Sequence, residues 1–297
     1  MDIVEKIRNL AKEKDAIILA HNYTRPEIQD VADFVGDSLE LSRTASKFSS
    51  RIIVFCGVHF MAETAYILSP DKMVLLPDIH AGCPMADMIS ADQLRELKKE
   101  HPGAKVVCYV NSSAEVKAES DICCTSANAV DIVNRLDSEE IIFVPDKYLG
   151  SYVSKVTGKK LILWDGYCPV HAMIKPEDIL KLKNFHPDAR VVVHPECPPE
   201  VIDLADAVKS TSGMLKYVKE TDAEEFIIGT ETGIIYRMEK ENPGKKFYPV
   251  RQDFICADMK RLTLEKVLSS LEEEKHKVVV PEDIRLRALS SIERMLM

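Results

Sequence analysis

The sequence predicts an α/β protein made of three repeated lobes, each a short parallel sheet with helical crossovers. Three observations lead there. Segments about 85 to 88 residues apart repeat one another, most literally His101-Pro102-Gly103-Ala104-Lys105-Val106-Val107 and His186-Pro187-Asp188-Ala189-Arg190-Val191-Val192. Each copy carries three short, β-branched runs that are continuously apolar rather than alternating, as strands buried on both faces require. Each copy also ends at a cysteine: Cys83, Cys168 and Cys256.

The elements follow in the same order in each copy. Amphipathic helices are expected over residues 3–14, 91–99 and 177–184; Ser90 with Gln93 fits a capping box, and Pro176 suits a first helical position. First strands are expected at 16–20, 105–110 and 190–193, second strands at 51–55, 140–144 and 225–228, and third strands at 72–76, 160–163 and 246–250. Turn sequences Ser69-Pro70-Asp71, Thr157-Gly158-Lys159 and Asn242-Pro243-Gly244 introduce the third set. Between first and second strands lie Gly36-Asp37-Ser38, Thr125-Ser126-Ala127 and Ser210-Thr211-Ser212, whose hydroxyls read as helix N-caps. Residues 262–297 read as two further helices that complete the first lobe. The resulting domains are 1–84 with 262–297, 85–169, and 170–261.

Bulk properties narrow the function. A net charge of −9 and a pI near 5.5 argue against a nucleic-acid partner, since no basic stripe is present to neutralise phosphates. With no run of 18 apolar residues, and no basic-then-apolar start, neither a membrane span nor a signal peptide is expected, and the reading is a soluble cytoplasmic protein. Eight cysteines in such a chain are expected as reduced thiols or metal ligands.

Ligands of open parallel sheets bind beyond the carboxyl ends of the strands, where helix N-termini offer free N–H groups. Offsets of 88 and 85 bring His21, Tyr109 and His194 to one equivalent position, at the ends of the first strands. The same offsets align Tyr23, Asn111 and Glu196, and the hydroxyls Ser38, Ser126 and Thr211. Taken singly, a strand-end histidine is usually structural and a serine before a helix is usually only a cap; recurrence in three copies favours a shared cavity around a pseudo-threefold axis. Helix starts facing such a cavity suit phosphate and carboxylates.

Among the cysteines, Cys56, Cys108, Cys123 and Cys124 fall in apolar surroundings and read as small hydrophobes. Cys83, Cys168 and Cys256 form the matching set, with Cys197 as a competitor. Three thiolates without a fourth suit zinc or an iron–sulfur cluster, and leave one metal position open to act as a Lewis acid.

Ala20-His21-Asn22-Tyr23, Gly36-Asp37-Ser38, Phe60-Met61-Ala62-Glu63, Tyr109-Val110-Asn111-Ser112, Thr125-Ser126-Ala127-Asn128, His194-Pro195-Glu196-Cys197 and Cys256-Ala257-Asp258-Met259-Lys260 occur in this order and spacing. In these motifs the whole chain closely resembles the quinolinate synthase family, the quinolinate synthetase A proteins. That resemblance implies three pseudo-symmetric three-layer α/β/α domains around a 4Fe-4S cluster bound by Cys83, Cys168 and Cys256. It implies a transferase and dehydratase type of condensation in de novo NAD biosynthesis: iminoaspartate and dihydroxyacetone phosphate give quinolinate, phosphate and two waters.

A functional link to an iminoaspartate-producing L-aspartate oxidase or aspartate dehydrogenase is implied with it. Carried onto this chain, Glu196 is the general base, Tyr23 with Thr211 moves protons, and His21, Tyr109 and His194 position intermediates. Ser38, Ser126, Ser210 and Thr211 hold phosphate and carboxylates, Asn111 bonds a carboxylate or the forming ring, and His171 lies close to the cluster.

This chain departs from the family pattern in a shorter segment before Cys168, Tyr167 in place of a histidine, Ser212 in place of glycine and Gly82 in place of threonine. Two other readings are a zinc enzyme using the same three cysteines, and an iron–sulfur electron carrier or sensor. The second of these has no need of Glu196, His194 or the hydroxyl set.

Overall fold

The computed structural model describes residues 2–45 and 47–297. Among them, twelve strands form three four-stranded parallel sheets with helices between the strands, a three-layer α/β arrangement repeated three times. The first sheet contains β1 (Ala16–His21), β2 (Phe34–Gly36), β3 (Ile52–Cys56) and β4 (Met73–Leu75), in the order β2-β1-β3-β4. The second has β5 (Lys105–Tyr109), β6 (Ile122–Cys124), β7 (Ile141–Val144) and β8 (Leu161–Leu163), and the third has β9 (Arg190–Val193), β10 (Ala207–Val208), β11 (Glu225–Gly229) and β12 (Lys246–Pro249). Their orders, β6-β5-β7-β8 and β10-β9-β11-β12, repeat that of the first sheet.

The nine expected strands are present, and each sheet has one strand more than the periodicity predicts. The additional strands β2, β6 and β10 are two or three residues long and occupy sheet edges, where one flank suffices. Too short for a period to develop, they sit in segments that read as approaches to the next helix. The central strands are legible because they are saturated with buried β-branched and aliphatic residues: every position of β3 and β7 is buried.

One compact unit comprises residues 1–102, 110–123 and 257–297. Its helix Ile3–Glu13 starts at an Asp2–Glu5 capping box and packs against Leu264–Glu273, so that Ile7, Ile18, Ile52, Leu262 and Val267 share one core. The last helix, Glu282–Leu296, packs instead on His59–Leu68 and the short helix Ala114–Ala118. In the segment between these two C-terminal helices, the His276 carbonyl accepts the Leu76 N–H at 3.1 Å and the Val278 N–H bonds the Val74 carbonyl at 2.9 Å. The segment thereby covers the free edge of β4 and withdraws it from pairing with another chain.

The second unit comprises residues 103–109 and 124–256. The register of its third sheet pairs Ile228 with Val192 and Gly229 with Val193. A Cβ on Gly229 would lie 2.8 Å from Val193 Cγ1, so only glycine lets the two strand ends approach this closely.

A carboxylate repeat ties the copies together beneath the hydrophobic pattern. Asp33 accepts the Ile18 N–H at 2.7 Å and Asp206 accepts that of Val191 at 2.7 Å, with Asp121 at the matching sequence offset.

The Ser90–Gln93 capping box and the Pro176 helix start form as expected. The hydroxyl caps hold only in the third copy, where Ser210 accepts the Gly213 N–H at 3.2 Å. In the first, the Asp37 carboxylate takes the N–H groups of Leu39 and Glu40, both at 3.0 Å. In the second, Thr125 and Asn128 bond one another in a turn and the helix begins only at Ala129. A carboxylate is as good an N-cap as a hydroxyl, so the pattern alone does not separate Asp37 from Ser38.

Candidate active site

Tight turns at the strand ends set the positions of the candidate side chains. After β1, Thr24 N–H bonds the His21 carbonyl at 3.0 Å, and after β9, Cys197 N–H bonds the His194 carbonyl at 3.0 Å. Within each turn the residue two beyond the histidine donates its N–H to the histidine Nδ1: Tyr23 to His21 at 3.2 Å, Glu196 to His194 at 3.3 Å. Each turn thus orients its ring and brings the next candidate side chain beside it. In the middle copy, Tyr109 closes β5 and Asn111 follows two residues on.

In the second unit these turns build a buried, charged constellation around Glu196. Tyr109 donates its hydroxyl to Glu196 Oε1 at 2.5 Å, and His171 Nδ1 stands 2.7 Å from Oε2. His194 Nδ1 lies 3.6 Å from Oε2, its ring stacked on that of His171 with centroids 4.6 Å apart. His171 is held from behind by Thr230, whose Oγ1 is 2.7 Å from Nε2, and its Nδ1 also lies 3.2 Å from the Cys168 sulfur. His194 Nε2 reaches Ser126 Oγ at 3.2 Å.

Burial pushes the Glu196 carboxyl up, but the imidazoles of His171 and His194, with hydrogen bonds from His171 and Tyr109, outweigh it and hold the group well below the ordinary 4.5. Asp146 moves the other way: burial and the charge of Glu196 raise it, against backbone N–H groups that favour the carboxylate. Neighbouring carboxyls are thus pushed in opposite directions by their surroundings.

In the first unit, the edge of the His21 ring meets Tyr23 at a centroid distance of 4.7 Å, and Lys260 Nζ bonds the Tyr23 carbonyl at 2.5 Å. Asn111 Oδ1 is buried with no hydrogen-bond partner among the described residues, an acceptor whose desolvation a substrate donor would offset. Ser38 is the first residue of helix Ser38–Ala45, directly after the Asp37 cap. Ser126 and Ser210 line one cavity of about 210 Å³ in the second unit, with Lys209 beside them; Thr211 opens the helix that Ser210 caps. The Ser212 departure leaves that helix start intact, and Gly82 occupies open space that a larger side chain could share.

Burial sorts the eight cysteines. Cys83, Cys168 and Cys256 are partly exposed, and the other five are buried. Burial pushes the Cys56 thiol up to about 12, and raises Cys124 and Cys197 well above the ordinary 9. Cys197, fully enclosed with its sulfur toward the Gly229 carbonyl, is thereby disfavoured as a thiolate ligand. The residues of the matching set are not enclosed in this way. Cys168, His171 and Glu196 also offer one donor atom each within 4.8 Å of one another.

The family model of the quinolinate synthetase A protein matches residues 5–297. The chain belongs to this family. It is 62% identical over 294 residues to a quinolinate synthase of Dehalococcoides mccartyi (strain CBDB1), covering 99% of this chain and 97% of the relative. Similar proteins of the same name are found in Thermodesulfovibrio yellowstonii, at 58% identity over 294 residues, and Methanosarcina barkeri, at 56% over 295, with the same coverage of both chains.

For this member of the quinolinate synthetase A family, sequence reasoning left His171 without a role and passed over Asp146, Thr230, Glu231 and Lys209. His171 sits on the four-residue helix Pro169–Ala172, which no periodic pattern announces. The offset of 85 between Asp146 and Glu231 was a usable signal.

Proposed function

We propose that this protein condenses iminoaspartate with dihydroxyacetone phosphate to quinolinate, releasing phosphate and two waters, in the cytoplasmic de novo route to NAD. The observation that carries the reading is Glu196, buried and ionised between Tyr109, His171 and His194 in a chain of this family. Among the described residues no helix is long and apolar enough to cross a membrane. The iminoaspartate would come from an L-aspartate oxidase or an aspartate dehydrogenase.

In this reading Glu196 takes the proton released as carbon bonds rearrange. Its low proton affinity at rest makes it a weak base, so redirecting the Tyr109 or His171 hydrogen bond to substrate would raise its basicity during reaction. Tyr23, with Thr211, exchanges protons during isomerisation and ring closure, and His21, Tyr109 and His194 polarise carbonyls and hydroxyls. Ser38, Ser126, Ser210 and Thr211 receive phosphate and carboxylates, helped by the N-terminus of helix Thr211–Glu220 and by Lys209. Asn111 offers its unmatched Oδ1 to a substrate donor.

The partly exposed Cys83, Cys168 and Cys256 would hold a 4Fe-4S cluster, which when bound supplies an iron lacking a protein ligand and able to act as a Lewis acid. The three-lobe division at 84/85 and 169/170, with residues 262–297 returning to the first lobe, belongs to the same reading.

Anaerobic purification, iron and acid-labile sulfide analysis, and an oxygen-free quinolinate assay test it. About four irons and four sulfides per chain with quinolinate formation are expected. Stoichiometric zinc without sulfide would instead favour hydrolytic chemistry at the same thiols, and a loaded protein that forms no quinolinate would be an electron carrier.

A further inference from the structure

Two buried carboxyl groups, one of them Asp146 beside Glu196, make the same contact in two copies of the repeat. Asp146 follows β7 and Glu231 follows β11, 85 residues apart, and both are essentially inaccessible to solvent. Asp146 Oδ1 accepts the Leu149 N–H at 2.7 Å, at the start of helix Lys147–Thr157, while its Oδ2 accepts the N–H of Cys168 at 3.2 Å. Glu231 divides its oxygens in the same way, Oε2 to Gly233 N–H at 2.7 Å, at the start of helix Gly233–Glu241, and Oε1 to the N–H of Cys256 at 3.1 Å.

A helix cap needs only one of these oxygens. Burying a carboxylate is costly unless both oxygens are satisfied, and here the second partner in each copy is the backbone of a cysteine from the matching set. The first copy has Val58 at the equivalent position, with no carboxylate to offer.

We propose that Asp146 and Glu231 are positioning residues that lock the backbone of Cys168 and Cys256, each linking a cysteine loop to the helix start after the second strand. The inference rests on the reading of these cysteines as cluster ligands. A ligand loop anchored at its own amide cannot swing its sulfur away from iron without breaking a buried hydrogen bond. Retention of the cluster, beyond the share any buried cap has in the fold, is therefore what the second oxygen of each group governs.

The amide variants Asp146→Asn and Glu231→Gln separate these roles. Each keeps its shape and one acceptor oxygen, which stays with the shorter bond to the helix start, and turns an NH2 group toward the cysteine N–H. Asp206→Asn is the control, because Asp206 accepts a strand N–H in the same unit, away from the cysteines.

Iron release from the anaerobically loaded proteins to a ferrous chelator is followed together with the unfolding midpoints of the cluster-free proteins. Each of the first two variants is expected to release iron about tenfold faster than the unaltered protein, with midpoints lowered no further than that of Asp206→Asn, and Asp206→Asn to release iron at the unaltered rate. Unaltered release in both variants overturns the inference, as does equal acceleration in Asp206→Asn, which would mark a general loosening of the fold. A starting protein that binds neither iron nor sulfide removes the cluster reading itself, and this inference with it.

Discussion

Replacing Tyr109 by Phe removes one oxygen from the protein and, with it, the hydrogen bond at 2.5 Å to Glu196 Oε1. The ring stays the same size, so the change leaves no cavity beyond the hydroxyl. Hydrogen bonds to buried charged groups contribute about 1.5–3 kcal/mol net. Tyr109→Phe should therefore lower stability by about that much at pH 7, read as a fall in the urea midpoint at constant slope. The same hydroxyl helps hold the Glu196 carboxyl below its ordinary value, and at 1.36 kcal/mol per pK unit its loss should raise that group by roughly one to two units.

The sign follows from Glu196 being more acidic folded than unfolded: its contribution is complete above about pH 4.5 and is lost as pH falls. In Tyr109→Phe the acid limb of the stability profile should still begin near pH 4.5 but end about one to two pH units higher, and so be smaller, than in the unaltered protein. A stability change under about 0.5 kcal/mol, with the acid limb unmoved, would show that the Tyr109–Glu196 bond does not persist in solution.

Glu196→Gln should abolish its own share of that acid limb and reduce quinolinate formation at least about a hundredfold while retaining iron, as expected for a lost proton acceptor; near-normal turnover would remove its assigned role. Gly229→Ala should destabilise by about 1–3 kcal/mol, measured by urea unfolding, because the stiff Val193 side chain beside it cannot give way and His194 follows directly. Cys168→Ala or Cys256→Ala should lose iron on anaerobic analysis, whereas Cys108→Ala or Cys124→Ala should keep it, since those thiols are buried and inert.

The central strands were legible because burial on both faces demands continuous apolar runs, and β1, β5 and β9 have them. The outer strands were not, because a two-residue element such as Ala207–Val208 has no period to detect. Weak signals at His21, Tyr109 and His194 became readable through repetition, each being an ordinary strand-end residue alone. Where the copies diverge, the same method falls silent. Val58 in place of a carboxylate broke the threefold recurrence that would have exposed Asp146 and Glu231, and His171 belongs to a helix too short to leave a pattern. Its contact with Glu196 depends on chain segments brought together only by folding.

The three sheets share one strand order within a single polypeptide, and this has a genetic consequence. A homotrimer of one such sheet would be obliged to carry the same residue at every equivalent position, so a glutamate acquired at the strand-end turn would appear three times. Joined in tandem, the copies are free to mutate separately, and the chain holds Tyr23, Asn111 and Glu196 where symmetry would have imposed three like charges. Covalent fusion thus converts an inherited framework into three independently selectable addresses, and lets one of them bear an anion without multiplying it.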